Sequence, residues 1–459
     1  MHIDLSKYRS YYKIHKDSLL EFYFNLLKIP SISTDPKHEN DCKKIADFVE
    51  DFLKPLGFET EIHKENHNYL IFASRIVNDK APTLCFYGHT DVQPCDPLNL
   101  WDSPPFEPHV RDGAVFARGA QDNKGQLAYT LCAIESFIKE EKDKKQCNIK
   151  LIIEGEEESG SHGTEKILKK IAHKLLCDEL YVVDFDAKSK NIPAIVLGMR
   201  GLCAFEFSIQ NASTDLHSGM YGGVVYNPLR AISEMIASCF TKEGMLAIEG
   251  AYQDLGSLTD DDMSVIDFSF DKGHLQRVFH VEALCVPSGL EPRLANWILP
   301  TFEINGLFGG YEDEGVKTVL PKKATAKISC RIGKDQDPHR FIKCCHDHLK
   351  KHLPLGFKMD FKIHQAASSF YTSIHASSVL KSQKAFESVF EHTPWIGLSG
   401  ASVPIVGLLS RLTGANVSLM GVGLDTDQIH APNEHFSLDR FEKGFYSIIH
   451  ILKQTQASL

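Results

Sequence analysis

Between Asp17 and Leu197 the apolar residues of this 459-residue chain switch repeatedly between helical and strand-like spacing; the alternation stops after Gly198 and resumes from about Ser369. Helical spacing covers Asp17–Leu27 (ended by Pro30), Asp41–Leu53 (closed by Pro55 and Gly57), Asn123–Ile138 and Thr164–Leu176. Strand-like runs lie between them at Tyr69–Ser74, Thr83–Tyr87, Ile149–Ile153, Leu180–Val183 and Ala194–Leu197. This β/α alternation predicts an α/β fold with a mostly parallel central sheet between helices. Beyond Gly198 the texture becomes α+β, with half-exposed strands at Cys203–Ile209, Ala324–Arg331 and Phe357–His364 and amphipathic helices at Pro228–Cys239 and Pro338–His352. A last helix is expected over Leu438–Leu452. The expected organisation is a discontinuous domain from residues 1–198 and 368–459, interrupted by an inserted α+β domain at residues 199–367.

Composition narrows the function classes. The balance of 50 Lys+Arg against 60 Asp+Glu gives a net charge of −10, which argues against a general binder of nucleic acid or anionic membrane. No run of 18 apolar residues and no signal peptide is visible, and the 12 cysteines lack framework spacing. They read as reduced core thiols of a cytoplasmic protein.

The chemistry sits where strands end. Tyr87-Gly-His-Thr-Asp91 follows an apolar run and sets His89 two residues from Asp91. An imidazole can ligate a cation, and a nearby carboxylate can fix its tautomer. Arg118-Gly-Ala-Gln-Asp-Asn-Lys-Gly125 puts Asp122 in a Gly-flanked turn before a helix, which by itself describes an N-cap. Glu154-Gly-Glu-Glu-Glu158 crowds four carboxylates at a strand end, where a bound cation would relieve their repulsion. Asp184, with Asp186 as its rival, ends the next strand, and Gly423-Leu-Asp-Thr-Asp-Gln-Ile-His430 returns a second histidine. Ligands of open α/β sheets gather beyond the carboxyl ends of the strands, so these loops are expected to converge.

The succession His89-Thr-Asp91, Gly119-Ala-Gln-Asp122, Glu156-Glu-Glu158, Asp184, Asp215-Leu-His-Ser-Gly219 and His430 resembles the M20 metallopeptidases over nearly the whole chain, most closely their dipeptidase branch. The resemblance implies a two-metal centre: His89 and Asp184 on one divalent ion, Glu158 and His430 on the other, and Asp122 between them. Zinc is the first choice, with Mn or Co as alternatives. It further implies that Asp91 orients His89, that Glu157 is the general base, and that Glu156 is an extra acid. The insert becomes a lid and dimerisation domain whose His217 reaches the partner's site in a homodimer. The expected activity is hydrolysis of the amide bond of a dipeptide or short peptide, by hydroxide held on the metals. A deacylase of N-acyl amino acids is the alternative, and a catalytically silent dimeric homologue a third.

Arg331 is a candidate for pairing with a substrate carboxylate, and Thr318 and Ser402 are further candidates for substrate contact. Ser399 and Ala401 depart from the Glu-Gly-Gly-Ser-Ile-Pro typical of the resembling dipeptidases, which leaves the substrate open. Cys344, His348 and His352 recur at helical spacing, yet without a Cys-x-x-Cys they read as one face of an amphipathic helix rather than a zinc site. Gly-x-Ser-x-Gly, Walker A and dinucleotide fingerprints are absent.

Overall fold

The computed structural model describes residues 3–142 and 145–458. The chain divides into two compact units: residues 1–197, 372–397 and 408–459 form the first, and residues 198–371 and 398–407 the second.

In the first unit the central sheet runs Glu59–Glu65, Asn68–Arg75, Asn148–Glu154, Thr83–His89, Glu179–Asp186, Asn416–Gly423, Ala194–Met199. Its four middle strands are parallel, and the flanking pairs are antiparallel. Thr83–His89 is buried from its second residue onward, as a strand covered on both faces must be, and this is why it reads as an unbroken apolar run. Behind the sheet the helix Lys124–Glu140 packs against the final helix Leu438–Gln456. A side chain at Gly444 would stand 2.6 Å from the Tyr129 ring, so the glycine sets how closely the two helices approach.

The first helix extends over Ser6–Leu27, well before the expected Asp17. Its early turns bury Tyr8, Tyr11 and Tyr12, and the Tyr8 hydroxyl donates to Glu141 at 2.9 Å, so tyrosines continue the apolar stripe. The expected helix Thr164–Leu176 is an α-helix over His162–Lys170 followed by a tighter turn at Ala172–Lys174. Lys150 Nζ donates to the carbonyls of Lys174 and Leu176, each at 2.7 Å, which satisfies the end of that segment. The strand Glu59–Glu65 went unexpected because an edge strand whose one apolar residue is Ile62 carries no apolar period.

The second unit holds a four-stranded antiparallel sheet in the order Glu303–Phe308, Lys323–Ile332, Gly201–Gln210, Lys358–Ala367. Lys323–Ile332 buries alternate residues, and its inward side chains join Phe205, Phe207, Ile232, Met235, Phe341 and Leu349 in one core. The helices Pro228–Ala237 and Pro338–Lys351 begin at prolines, capped by Asn227 and Asp337, whose side chains accept the N–H groups of Leu229 and Arg340 at 2.9 and 2.7 Å. The second of these helices carries the Cys344-to-His352 face. His348 Nε2 meets the Ser238 carbonyl at 3.1 Å and hydroxyl at 3.0 Å, while His352 Nδ1 meets the His348 carbonyl at 2.9 Å. Those imidazoles are engaged in packing. Most of the cysteines are buried free thiols.

Candidate metal centre

Five segments at the carboxyl end of the first unit's sheet, two of them strand ends, carry the site. His89 is the last residue of its strand and is fully buried. Its Nδ1 meets the Asp91 carbonyl at 3.1 Å and the Asp91 carboxylate at 3.4 Å, leaving Nε2 to face Asp122 Oδ1 at 3.1 Å and Asp184 Oδ1 at 3.7 Å. The other Asp122 oxygen meets His430 Nε2 at 2.9 Å, and His430 in turn lies 3.3 Å from Glu158 Oε2. Two donor groups result, His89–Asp122–Asp184 and Asp122–Glu158–His430, each with ligand atoms within 4.8 Å of one another. Asp122 belongs to both.

The surroundings hold these groups in place. Gly119, at φ +82°, turns the chain ahead of Asp122, and a side chain there would come 2.8 Å from Val92. The N–H groups of Gly119, Gln121 and Asp122 donate to the buried Glu434 carboxylate at 2.8, 3.0 and 3.1 Å, and Arg118 Nη1 pairs with it at 2.8 Å. Asn123, rather than Asp122, occupies the N-cap position of the following helix, but its side chain makes no capping hydrogen bond. Its Oδ1 accepts the His89 N–H at 3.2 Å, and its Nδ2 donates to Asp184 Oδ1 at 2.7 Å. Gln93 Nε2 donates to Glu158 Oε2 at 2.8 Å. Glu434, Asn123 and Gln93 escaped the reading of the sequence. Glu434 stands 312 residues from Asp122, and no local pattern links them.

Glu156 lies apart from both groups: its carboxylate accepts the N–H groups of Gly163 and Thr164 at 2.7 and 2.9 Å, at the start of the next helix. Asp186 likewise faces Gln121 Nε2, at 3.4 Å, so the pairing with His89 falls to Asp184. Glu157 is adjacent to Glu158 but in neither donor group.

The electrostatics of the cluster are those of anions crowded out of water. Burial pushes the carboxyl groups of Glu157, Glu158 and Asp184 above their ordinary range. Burial acts the same way on Asp122, but hydrogen bonds from His430 and His89 overcome it and hold that carboxyl low. The same bonds, from Asp122 and then Glu158, lift His430 to about 10. Two imidazoles and three carboxylates within contact distance compensate one another here only by taking up protons. Divalent cations offer the same compensation, and this nitrogen and oxygen donor set fits them.

In the second unit His217 Nδ1 accepts the Gly219 N–H at 3.0 Å, and His217 pairs with Val319 across two short strands, next to Thr318. Arg331 Nη1 donates to Ser402 Oγ at 2.7 Å, and that hydroxyl donates to the Arg200 carbonyl. Among the described residues neither Arg331 nor Arg200 has a carboxylate partner. Burial, and then Arg331, lower Arg200 to about 10. Arg200 was not among the expected site residues. Ser399 Oγ accepts the Ala401 N–H at 3.1 Å.

The model of "Peptidase family M20/M25/M40" matches residues 85–454. The chain is 25% identical to the Beta-Ala-His dipeptidase of Rattus norvegicus over 463 residues, covering 96% of this chain and 93% of that one. It is 28% identical to the Cys-Gly metallodipeptidase dug1 of Schizosaccharomyces pombe over 457 residues, covering 95% and 96%. An M20 family metallo-carboxypeptidase from Sulfolobus solfataricus superposes with a TM-score of 0.86 at 29% identity, covering 96% of this chain and 99% of that one.

Proposed function

The chain belongs to peptidase family M20/M25/M40 and is a metallopeptidase, and from that premise we propose that it hydrolyses the amide bond of a dipeptide at the centre built around Asp122. One observation carries this reading: Asp122 faces a histidine with each oxygen, and each histidine has a second carboxylate beside it. His89 and Asp184 would hold one divalent ion, Glu158 and His430 the other, with Asp122 shared. Zinc is the first candidate, and Mn and Co suit the same donors. Such ions supply a Lewis acid for the amide carbonyl and lower the pKa of water.

The remaining work falls to side chains of this chain. Glu157 sits beside the ligand pair without joining it, and its buried carboxyl is pushed up, as suits a group that takes a proton from water and hands it to the leaving amine. Asp91 fixes His89 and the Glu157–Glu158 backbone together. Arg331, with Thr318 and Ser402 as further contacts, is assigned to the substrate's free carboxylate, a role supported by its lack of an acidic partner among the described residues. His217 is assigned to the oxyanion in the partner subunit's site of a homodimer. Since its Nδ1 accepts a backbone N–H, its proton belongs on Nε2. A cytoplasmic location fits the unpaired, mostly buried cysteines. No described helix is long and apolar enough to cross a membrane.

The test is a panel of dipeptides and N-acyl amino acids, assayed after chelation with each metal restored singly. Dipeptide turnover that returns with metal is the expected result. Turnover confined to N-acyl amino acids would make the protein a deacylase, and full metal loading without turnover would make it a silent homologue.

A further inference from the structure

At the opposite end of the first unit's sheet lies a recess of about 480 Å³ lined by Arg75, Val77, Asn78, Lys80, Ala81, Lys142, Lys145 and Gln146. Among the described residues that line it, four of eight are cationic and none is acidic, although the exposed Asp79 lies between Asn78 and Lys80, in a chain whose net charge is −10. Among the described residues, none of the four cations has a carboxylate partner. Elsewhere on this surface lysines are commonly paired, as Lys139 is with Glu135 and Lys166 with Glu65. A concavity lined by several cations presents a positive potential that favours an anion.

The walls are built rather than loose. Arg75 is half-buried at the end of its strand, where Nε donates to the Leu56 carbonyl at 3.2 Å and Nη1 to Gln146 Oε1 at 2.7 Å. Burial lowers its pKa, the mark of a guanidinium held partly out of water without a counter-ion. The loop that follows is tied down by Asn148, whose Oδ1 accepts the N–H groups of Val77 and Asn78 at 2.8 and 3.1 Å and whose Nδ2 donates to the Asn78 and Ala81 carbonyls at 2.9 and 3.0 Å. Arg75 is thus a pre-positioned fork, with Lys80, Lys142 and Lys145 as exposed, adaptable charges around it. The recess stands at the Thr83 end of the strand that finishes at His89, about 20 Å from the candidate metal centre at 3.3 Å per residue.

We infer that this recess is a second ligand site, which binds a multiply charged phosphate, with Arg75 gripping one phosphoryl group and Lys80, Lys142 and Lys145 neutralising the others. A chain of linked phosphates offers several negative charges to these four cations. A single carboxylate offers only one.

The metal-loaded protein is titrated calorimetrically with inorganic phosphate, tripolyphosphate and ATP, each with Mg²⁺ in excess so that the ligand does not strip the metal centre. A parallel arm sediments the protein with vesicles of phosphatidylcholine containing 5% phosphatidylinositol bisphosphate, roughly one lipid in 20. Expected is one-to-one binding of tripolyphosphate, weakened at least tenfold in Arg75→Gln and in the Lys142→Gln/Lys145→Gln double variant. Binding should persist in Asp122→Asn, which separates it from the metal centre. The lysine variant changes only exposed side chains, so it tests the site even if Arg75→Gln folds poorly. ATP and tripolyphosphate binding alike assigns a soluble oligophosphate, and cosedimentation lost in the same variants assigns a lipid headgroup. Absence of binding in every arm, or binding unaltered in the lysine variant, overturns the inference.

Discussion

The backbone N–H of Glu157 donates to Asp91 Oδ1 at 3.1 Å, so the residue proposed as general base is anchored by the aspartate that follows His89. The second oxygen, Oδ2, accepts the Glu158 N–H at 3.0 Å and the Ser33 hydroxyl at 2.6 Å. Asp91 therefore acts as an acceptor on every side. In Asp91→Asn one oxygen becomes an NH₂ that must face a donor it formerly accepted. The expected result is a loss of about 10- to 100-fold in metal affinity, as for other groups that orient ligands, together with a fall in kcat at saturating metal. Unchanged kcat once metal is restored would confine Asp91 to supporting His89.

Glu157→Gln removes the proton acceptor while keeping size and backbone anchorage. Metal analysis should still find two ions per chain, and kcat should fall by about 10²- to 10⁴-fold. Two bound ions with full activity would remove Glu157 from the mechanism.

Loading the centre should expel protons. Hydrogen bonds to Asp122 and Glu158 raise His430 to about 10, so at pH 7 the metal-free imidazole is protonated, whereas a ligating imidazole must be neutral. Metal affinity should therefore increase as pH rises toward about 10, and calorimetry at pH 7 in buffers of different ionisation enthalpy should report net proton release. A buffer-independent heat would mean that His430 does not ligate.

What could be read in advance, and what could not, follows from how local each signal is. His89, Asp184 and Glu158 lie at or just beyond the ends of buried strands, whose apolar runs are visible in sequence and whose carboxyl ends meet in space. Glu434 and Asn123 shape the same loops through several hydrogen bonds each, made across long chain separations, which leave no period to detect. The edge strand Glu303–Phe308 is largely exposed, so its pairing rests on backbone bonds to Lys323–Ile332 rather than on an apolar face. Arg200 is placed by tertiary bonds to the carbonyls of Gly400 and Leu299, equally silent in sequence.

Arg331→Lys keeps the charge and loses the planar fork. If Arg331 takes the substrate carboxylate, kcat/KM for a dipeptide should drop about 10- to 100-fold, equivalent to ~1.5–3 kcal/mol. The same dipeptide carrying a C-terminal amide should be hydrolysed about equally by both proteins, because the partner of Arg331 is already missing. An equal loss on the amide would make Arg331 a structural residue that holds Ser402.

His217→Ala should abolish most turnover while leaving metal content intact, since His217 lies in neither donor group. Mixing provides the sharper test. In a homodimer where His217 serves the partner's site, a subunit carrying His217→Ala retains its own Glu157, and a subunit carrying Glu157→Gln supplies an intact His217. Random reassortment of the two inactive variants makes half the dimers mixed, each with one complete site of two, so about a quarter of native activity should return. The recovery should be lost when the mixed sample is diluted below the dimer dissociation constant. No recovery despite demonstrated subunit exchange would confine His217 to its own chain, and full activity of a monomer would remove the cross-subunit role altogether.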